Sequence, residues 1–345
     1  MKQGNSAGPG RLALAALAGL WLNAFAGEPV QIQPRTVVKL ASAKEAAALL
    51  DRADDFTKAM SPCDRAARLG KDKPVTQDEF LAFAAASARD WPEDQARLAQ
   101  AMLVQAAQRL RPLKLPLPET ILLIRTTGQE EGGAAYTRGN AIILPAADAA
   151  SPRLEMILHE FFHVLSRHNS PLRTRLYGLL GFKPCAPLAL PESLAPIKIT
   201  NPDAFAMDHY IELEQAGKPV KLMPILLSRS PTYDPRAGGG FFGYMELKLL
   251  VVEAAGDSCK AALDANGKPR LLEPSQVPDY QRRLARNSHY IISPEEVLAD
   301  NFALLAGGSS RARDPGLLED VRKVLTAYAA SQPATKAAAS GPAKP

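Results

Sequence analysis

Two histidines and a glutamate stand close together as His159-Glu160-x-x-His163. On a helix, residues four apart share a face, so both imidazoles can reach one metal ion. Glu160 then lies one residue further round, close enough to touch a water on that metal. The chemistry this spacing suits is hydrolysis: a divalent cation polarises a carbonyl, and a carboxylate takes the proton of the attacking water. The plain alternative is a core helix with two satisfied histidines and a surface glutamate. Apolar neighbours on several sides would bury the group. A buried His-Glu-His cluster with no partner is costly because its polar atoms lose their water, which favours the metal.

The residues around the motif predict the helix that carries it. Ser151 can serve as N-cap, and Pro152 suits the first helical position. Leu154, Ile157, Leu158, Phe161, Phe162 and Leu165 recur at helical spacing with no Gly or Pro among them. A catalytic zinc takes three protein ligands and keeps a position for water, so one ligand is still wanted. His168 is five residues past His163 and points elsewhere. Asn169 stands where a third histidine six residues on would be. A later segment offers Glu296 and Asp300, four apart and on one face. One carboxylate can bind the metal while the other holds a ligand imidazole by its free N–H. Ser293-x-x-Glu296 also reads as a capping box, in which Glu296 bonds to its own helix end. Glu295 is a rival ligand, but Ala299, four residues on, gives it no support.

HExxH on one helix with Glu-x-x-x-Asp on a later one resembles the gluzincin metallopeptidases, thermolysin-like in their core. The stretch Pro294-Glu295-Glu296-Val297-Leu298-Ala299-Asp300-Asn301-Phe302 looks like the second helix of that clan. The resemblance implies a zincin-like catalytic domain, a small sheet with an HExxH helix and a ligand helix. It implies zinc held by His159, His163 and Glu296, with Glu160 as general base. Asp300 would sit behind a ligand imidazole, and the substrate would be a peptide or protein. The likeness covers two short motifs and the order of strand then helix. The interval from His163 to Glu296 is longer than in the small members, as an inserted domain would make it. An oxyanion forming on the substrate needs a donor besides the metal. Candidates are Tyr290 and His289, just before the ligand helix, and Tyr244, Tyr210 and His209. Tyr290 is preferred because it enters on the loop leading to that helix.

The rest of the chain must position these groups. Lys2, Arg11, the apolar run Leu12 to Leu22 and Ala24-Phe25-Ala26 read as a signal peptide over 1–26, cut near Ala26. That run is short for a membrane span. The expected location is periplasmic or secreted, with no membrane association after cleavage. The formal charge of +5 is scattered rather than gathered into a basic run, which excludes a nucleic-acid footprint. Of the three cysteines, Cys185 and Cys259 are expected to pair, leaving Cys63.

Residues 27–115 read as an N-terminal helical subdomain, extended over 27–35 and then helical. Its helix starts are Ser42-x-x-Glu45, Ser61-Pro62, Thr76-x-x-Glu79 and Trp91-Pro92-Glu93. Residues 116–330 read as the catalytic domain. Its first strand is Glu119 to Thr126, followed by a hairpin about Gly139-Asn140. An edge strand beside the HExxH helix could hold an extended peptide by strand addition. An antiparallel β insertion is expected at about 200–273, and a disordered tail at 331–345. The fold class is therefore α+β. The expected function is an exported zinc metallopeptidase. The alternative is a binding or structural protein on a zincin scaffold that has lost turnover. Glu160 argues against the alternative, since a retired site has no reason to keep a base between two ligand-spaced histidines.

Overall fold

The structure, a computed structural model, describes residues 27–256 and 258–332. The signal peptide with its cut near Ala26, and the tail from residue 333 on, lie outside the described residues. The fold is mixed α+β, with two sheets and the helices packed around them.

The first sheet runs in the order Val30–Gln33, Thr36–Leu40, Thr120–Thr126, Ala141–Pro145, Tyr136–Arg138. Its three inner strands are parallel and its outer pairs antiparallel. The inner sequences TILLIRT and AIILP are nearly continuous apolar runs, as a strand covered on both faces requires. Alternate residues serve different cores. Ile121, Leu123, Ile142 and Leu144 pack against Leu103 and Ala106 of Glu93–Leu110 and against Phe161 of Leu154–His168. Ile124, Ala141 and Ile143 face the opposite core, with Leu50 of Ala43–Leu50 and Phe80 of Gln77–Ala86. Each buried Leu, Ile or Phe among them contributes about 1.5–3 kcal/mol relative to exposure.

The N-terminal helices form behind the expected caps: Ser42, Ser61 and Thr76 each accept a backbone N–H of the first turn. Residues 27–115 do not form a body of their own, however. Val30–Gln33 and Thr36–Leu40 are strands of the first sheet, and Ile32 and Val38 lie in its core. Thr36–Leu40 pairs in parallel with Thr120–Leu123, a partner some 80 residues away in sequence that no local pattern reveals.

The second sheet is antiparallel, in the order Ser258–Ala261, Met245–Ala255, Lys218–Ser228, His209–Gln215, Phe182–Pro184. It begins earlier than the expected insertion, because Phe182–Pro184 and Lys198–Ile199 also join it. Ala216 and Gly217 both take positive φ, as a two-residue hairpin turn needs. The expected disulfide is not formed: Cys185, Cys259 and Cys63 are free thiols. Cys185 and Cys259 are neighbours in this sheet's core. Burial and the adjacent Cys259 push the Cys185 thiol up to about 12, and a protonated thiol is a poor nucleophile for disulfide formation. Among the described residues no helix is long and apolar enough to cross a membrane.

Candidate metal centre

The HExxH helix spans Leu154–His168. Its N-cap is Arg153 rather than Ser151, because Ser151 closes the short helix Ala146–Ala150 just before it. Ile157, Leu158, Phe161, Phe162 and Leu165 are fully buried against the first sheet and against a second helix, Pro294–Gly307. Phe162 meets Phe302 across that contact at 5.6 Å between ring centroids. Close packing of two apolar helices therefore sets the spacing of the polar groups at their interface.

Those groups converge. His159 Nε2 lies 3.1 Å and His163 Nε2 3.6 Å from Glu296 Oε2. The opposite ring nitrogens are held from behind. His159 Nδ1 is 2.9 Å from Asp300 Oδ1, and His163 Nδ1 is 3.0 Å from Glu295 Oε1. With Nδ1 protonated on both rings, each Nε2 lone pair faces the same point as the Glu296 carboxylate. Glu295 is itself fixed by Ser166 Oγ at 2.8 Å and Tyr177 OH at 2.6 Å. Asp300 accepts from Ser288, and Glu296 Oε1 accepts from Asn201 Nδ2 at 2.5 Å. Of the expected capping box only half forms: Ser293 Oγ accepts the Glu296 N–H at 3.3 Å, while the Glu296 carboxylate turns to the histidines. So Glu295, set aside as a ligand, occupies the supporting position behind His163 that Asp300 holds behind His159.

Two imidazoles and a carboxylate, with donor atoms within 4.8 Å of one another, suit a zinc ion. A second group, Glu160, His163 and Asp203, overlaps the first through His163. Glu160 is buried, and its Oε2 has no hydrogen-bond partner among the described residues. A buried carboxylate oxygen left unpaired is costly, and a bound cation or water would satisfy it.

The electrostatics reflect a crowded site. Burial disfavours a charged His159, yet hydrogen bonds to Asp300 and Glu296 hold its pKa up at about 10. Burial acts likewise on His163, but Asp203, Glu296 and Glu295 raise it well above its ordinary value. Burial alone would raise the Glu296 carboxyl, but His163 and His159 hold it well below the usual range. Glu160 is pushed up to about 8, by burial first and by Asp203 next.

A cavity of about 280 Å³ opens beside these residues. His159, Glu160 and Glu296 form part of its wall, and Tyr290 stands half-exposed at its mouth. The other oxyanion candidates are elsewhere. Tyr244 donates to the Asp234 carbonyl, Tyr210 packs in the second sheet's core, His209 is held by Asp208, and His289 lies against Arg313 on the surface. His168 lines a separate surface groove. The edge strand Tyr136–Arg138 is not free along its length. Asp203 accepts the Thr137 N–H at 2.9 Å and covers the strand there, so strand addition at Thr137 is blocked. Ala134 and Ala135, just before it, do line the cavity.

Asp203 and Asn201 come from a loop whose sequence shows no periodicity, and Tyr177 from a neighbouring helix. Sequence reading passed over all three. For Glu295 a signal existed, since two adjacent acids open an otherwise apolar helix that must bury both. Comparison with protein-family models, with curated proteins and with solved structures finds no match to this chain.

Proposed function

We propose that this protein is an exported zinc-dependent metallopeptidase with a zincin-like catalytic domain. The observation that carries the reading is the meeting of His159, His163 and Glu296 at one point, with the unpaired Glu160 carboxylate beside them. His159, His163 and Glu296 would hold the zinc. When bound, zinc acts as a Lewis acid on a carbonyl and makes water acidic near neutral pH. Glu160 takes the proton of the water that attacks the scissile carbonyl and returns it to the leaving amine. Asp300 and Glu295 keep the two imidazoles in the tautomer that presents Nε2. Tyr290, at the cavity mouth, is the donor assigned to the developing oxyanion.

Glu160→Gln tests this. The variant keeps its zinc, measured by metal analysis, and loses peptide hydrolysis by a factor on the order of 100 or more. A chelator abolishes the parent's activity, and added zinc restores it. A parent that binds zinc in this site but cleaves no peptide in a broad library would instead identify a binding protein on the same scaffold. A folded protein that binds no zinc would remove both readings.

A further inference from the structure

The wall of the metal-site cavity is more acidic than a metal centre needs. Glu131, Glu160, Asp203 and Glu296 line it against one guanidinium, Arg68. Glu131 and Asp203 add two carboxylates beyond the Glu160 and Glu296 of the proposed metal centre. Arg68 is also shared with Asp64 behind the wall, so it does not fully neutralise Glu131.

Two of these carboxylates, Glu131 and Asp203, are not among the three ligands proposed for the metal. Asp203 and Glu131 each have side chains only 6% exposed. The Oδ1 of Asp203 accepts from Thr137 and faces Arg167 at 3.5 Å. Glu131 Oε2 pairs with Arg68. In each residue the second oxygen has no hydrogen-bond partner among the described residues, and both residues face the cavity. An oxygen of Asp203 also lies within 4.8 Å of Glu160 and His163. Aromatic rings complete the surround: Phe242 and Tyr290 stand half-exposed at the cavity, and ring faces attract cations.

We propose that the cavity recognises its substrate through an alkylammonium group, held by the free oxygens of Asp203 and Glu131 under the rings of Phe242 and Tyr290. That group is either a peptide's free amino terminus or a lysine side chain. The peptide substrate rests on the metallopeptidase reading; the binding of the ammonium does not.

Calorimetry on the zinc-loaded full chain tests the binding without turnover. The probe is n-butylammonium chloride, compared with the uncharged 1-butanol. Butylammonium binds, and butanol binds at least about tenfold more weakly. Asp203→Asn and Glu131→Gln, each measured where the variant is folded and zinc-loaded, weaken butylammonium about tenfold. Equal binding of the two probes overturns the proposal, and this comparison needs no variant to fold. Butylammonium binding that survives both substitutions also overturns it.

Hydrolysis then separates the two sources. If N-acetylation of a peptide lowers kcat/KM about tenfold or more, the amino terminus is the ligand. If acetylated peptides are cleaved beside lysine but not beside norleucine, the side chain is. Cleavage indifferent to both changes overturns the proposal while leaving the peptidase reading intact. Ammonium binding with no cleavage does the reverse.

Discussion

At the residue scale, the proposed metal centre consists of three candidate ligand atoms and the groups that aim them. Glu295 is the most informative of the second kind. It accepts from His163, Ser166 and Tyr177 while 2% exposed, so its charge has no solvent to fall back on. Glu295→Gln keeps the shape but removes the charge that steadies the His163 Nδ1–H. Loss of such a supporting partner lowers metal affinity about 10–100-fold. The expected outcome is zinc binding weakened by about tenfold, read by competition with a chromophoric chelator. Unchanged affinity would mean that Glu295 merely fills space. His159, Glu160 and His163 were legible because a fixed spacing on one helix has a direct geometric meaning. Glu296 and Asp300 were legible for the same reason on a second helix. The role of Glu295 was not, since apolar Ala299, four residues on, gives it no partner on its own helix face. Only the packing of the two helices shows which carboxylate meets which ring.

At the element scale, the acidic helix Pro294–Gly307 delivers its carboxylates from its first turn. Helix ends fray unless capped. Ser293, extended at φ −157° and ψ 159°, accepts the N–H of Glu296 itself, so the cap fixes the residue proposed as the third ligand. Ser293→Ala should cost about 1 kcal/mol of stability in the metal-free protein, or roughly 2 °C in melting temperature for a chain this long. Ser293→Asp, which can cap equally well, should restore it. A melt unmoved by the alanine variant would show that helix packing alone holds the first turn. Elements were readable where local chemistry decides them: the capping boxes at Ser42 and Thr76 and the Gly139-Asn140 turn. Short strands such as Thr36–Leu40 and Lys198–Ile199 were not, since each is a strand only by virtue of a distant partner. That is also why residues 27–115, rich in well-capped helices, looked separable while sharing both cores.

At the scale of the whole molecule, the proposed metal centre is a knot of buried charge whose cost depends on what fills it. Without metal, two histidines stand among Glu295, Glu296, Asp300 and Asp203, and these carboxylates favour protonated rings. The sign follows from the shifts. His159 goes from an ordinary 6.5 to about 10 in the folded protein. Its contribution to stability is therefore fully present below pH 6.5 and is lost as pH rises through 10. Glu160 acts in the same direction. Its carboxyl is raised from 4.5 to about 8, so the folded state holds a proton that the unfolded state has released, and stability falls across that range too. Zinc reverses the balance, because it needs neutral imidazoles and so binds with release of protons. Metal that binds only the folded state stabilises it by RT ln(1 + [Zn]/Kd), about 4 kcal/mol at a thousandfold excess over Kd. As pH rises, the metal-free protein should melt earlier while the zinc form gains affinity. The gap between their melting temperatures, at a fixed free zinc concentration, should therefore widen steadily from pH 6.5 to 9. A constant or narrowing gap would mean that the histidines are already neutral in the metal-free fold.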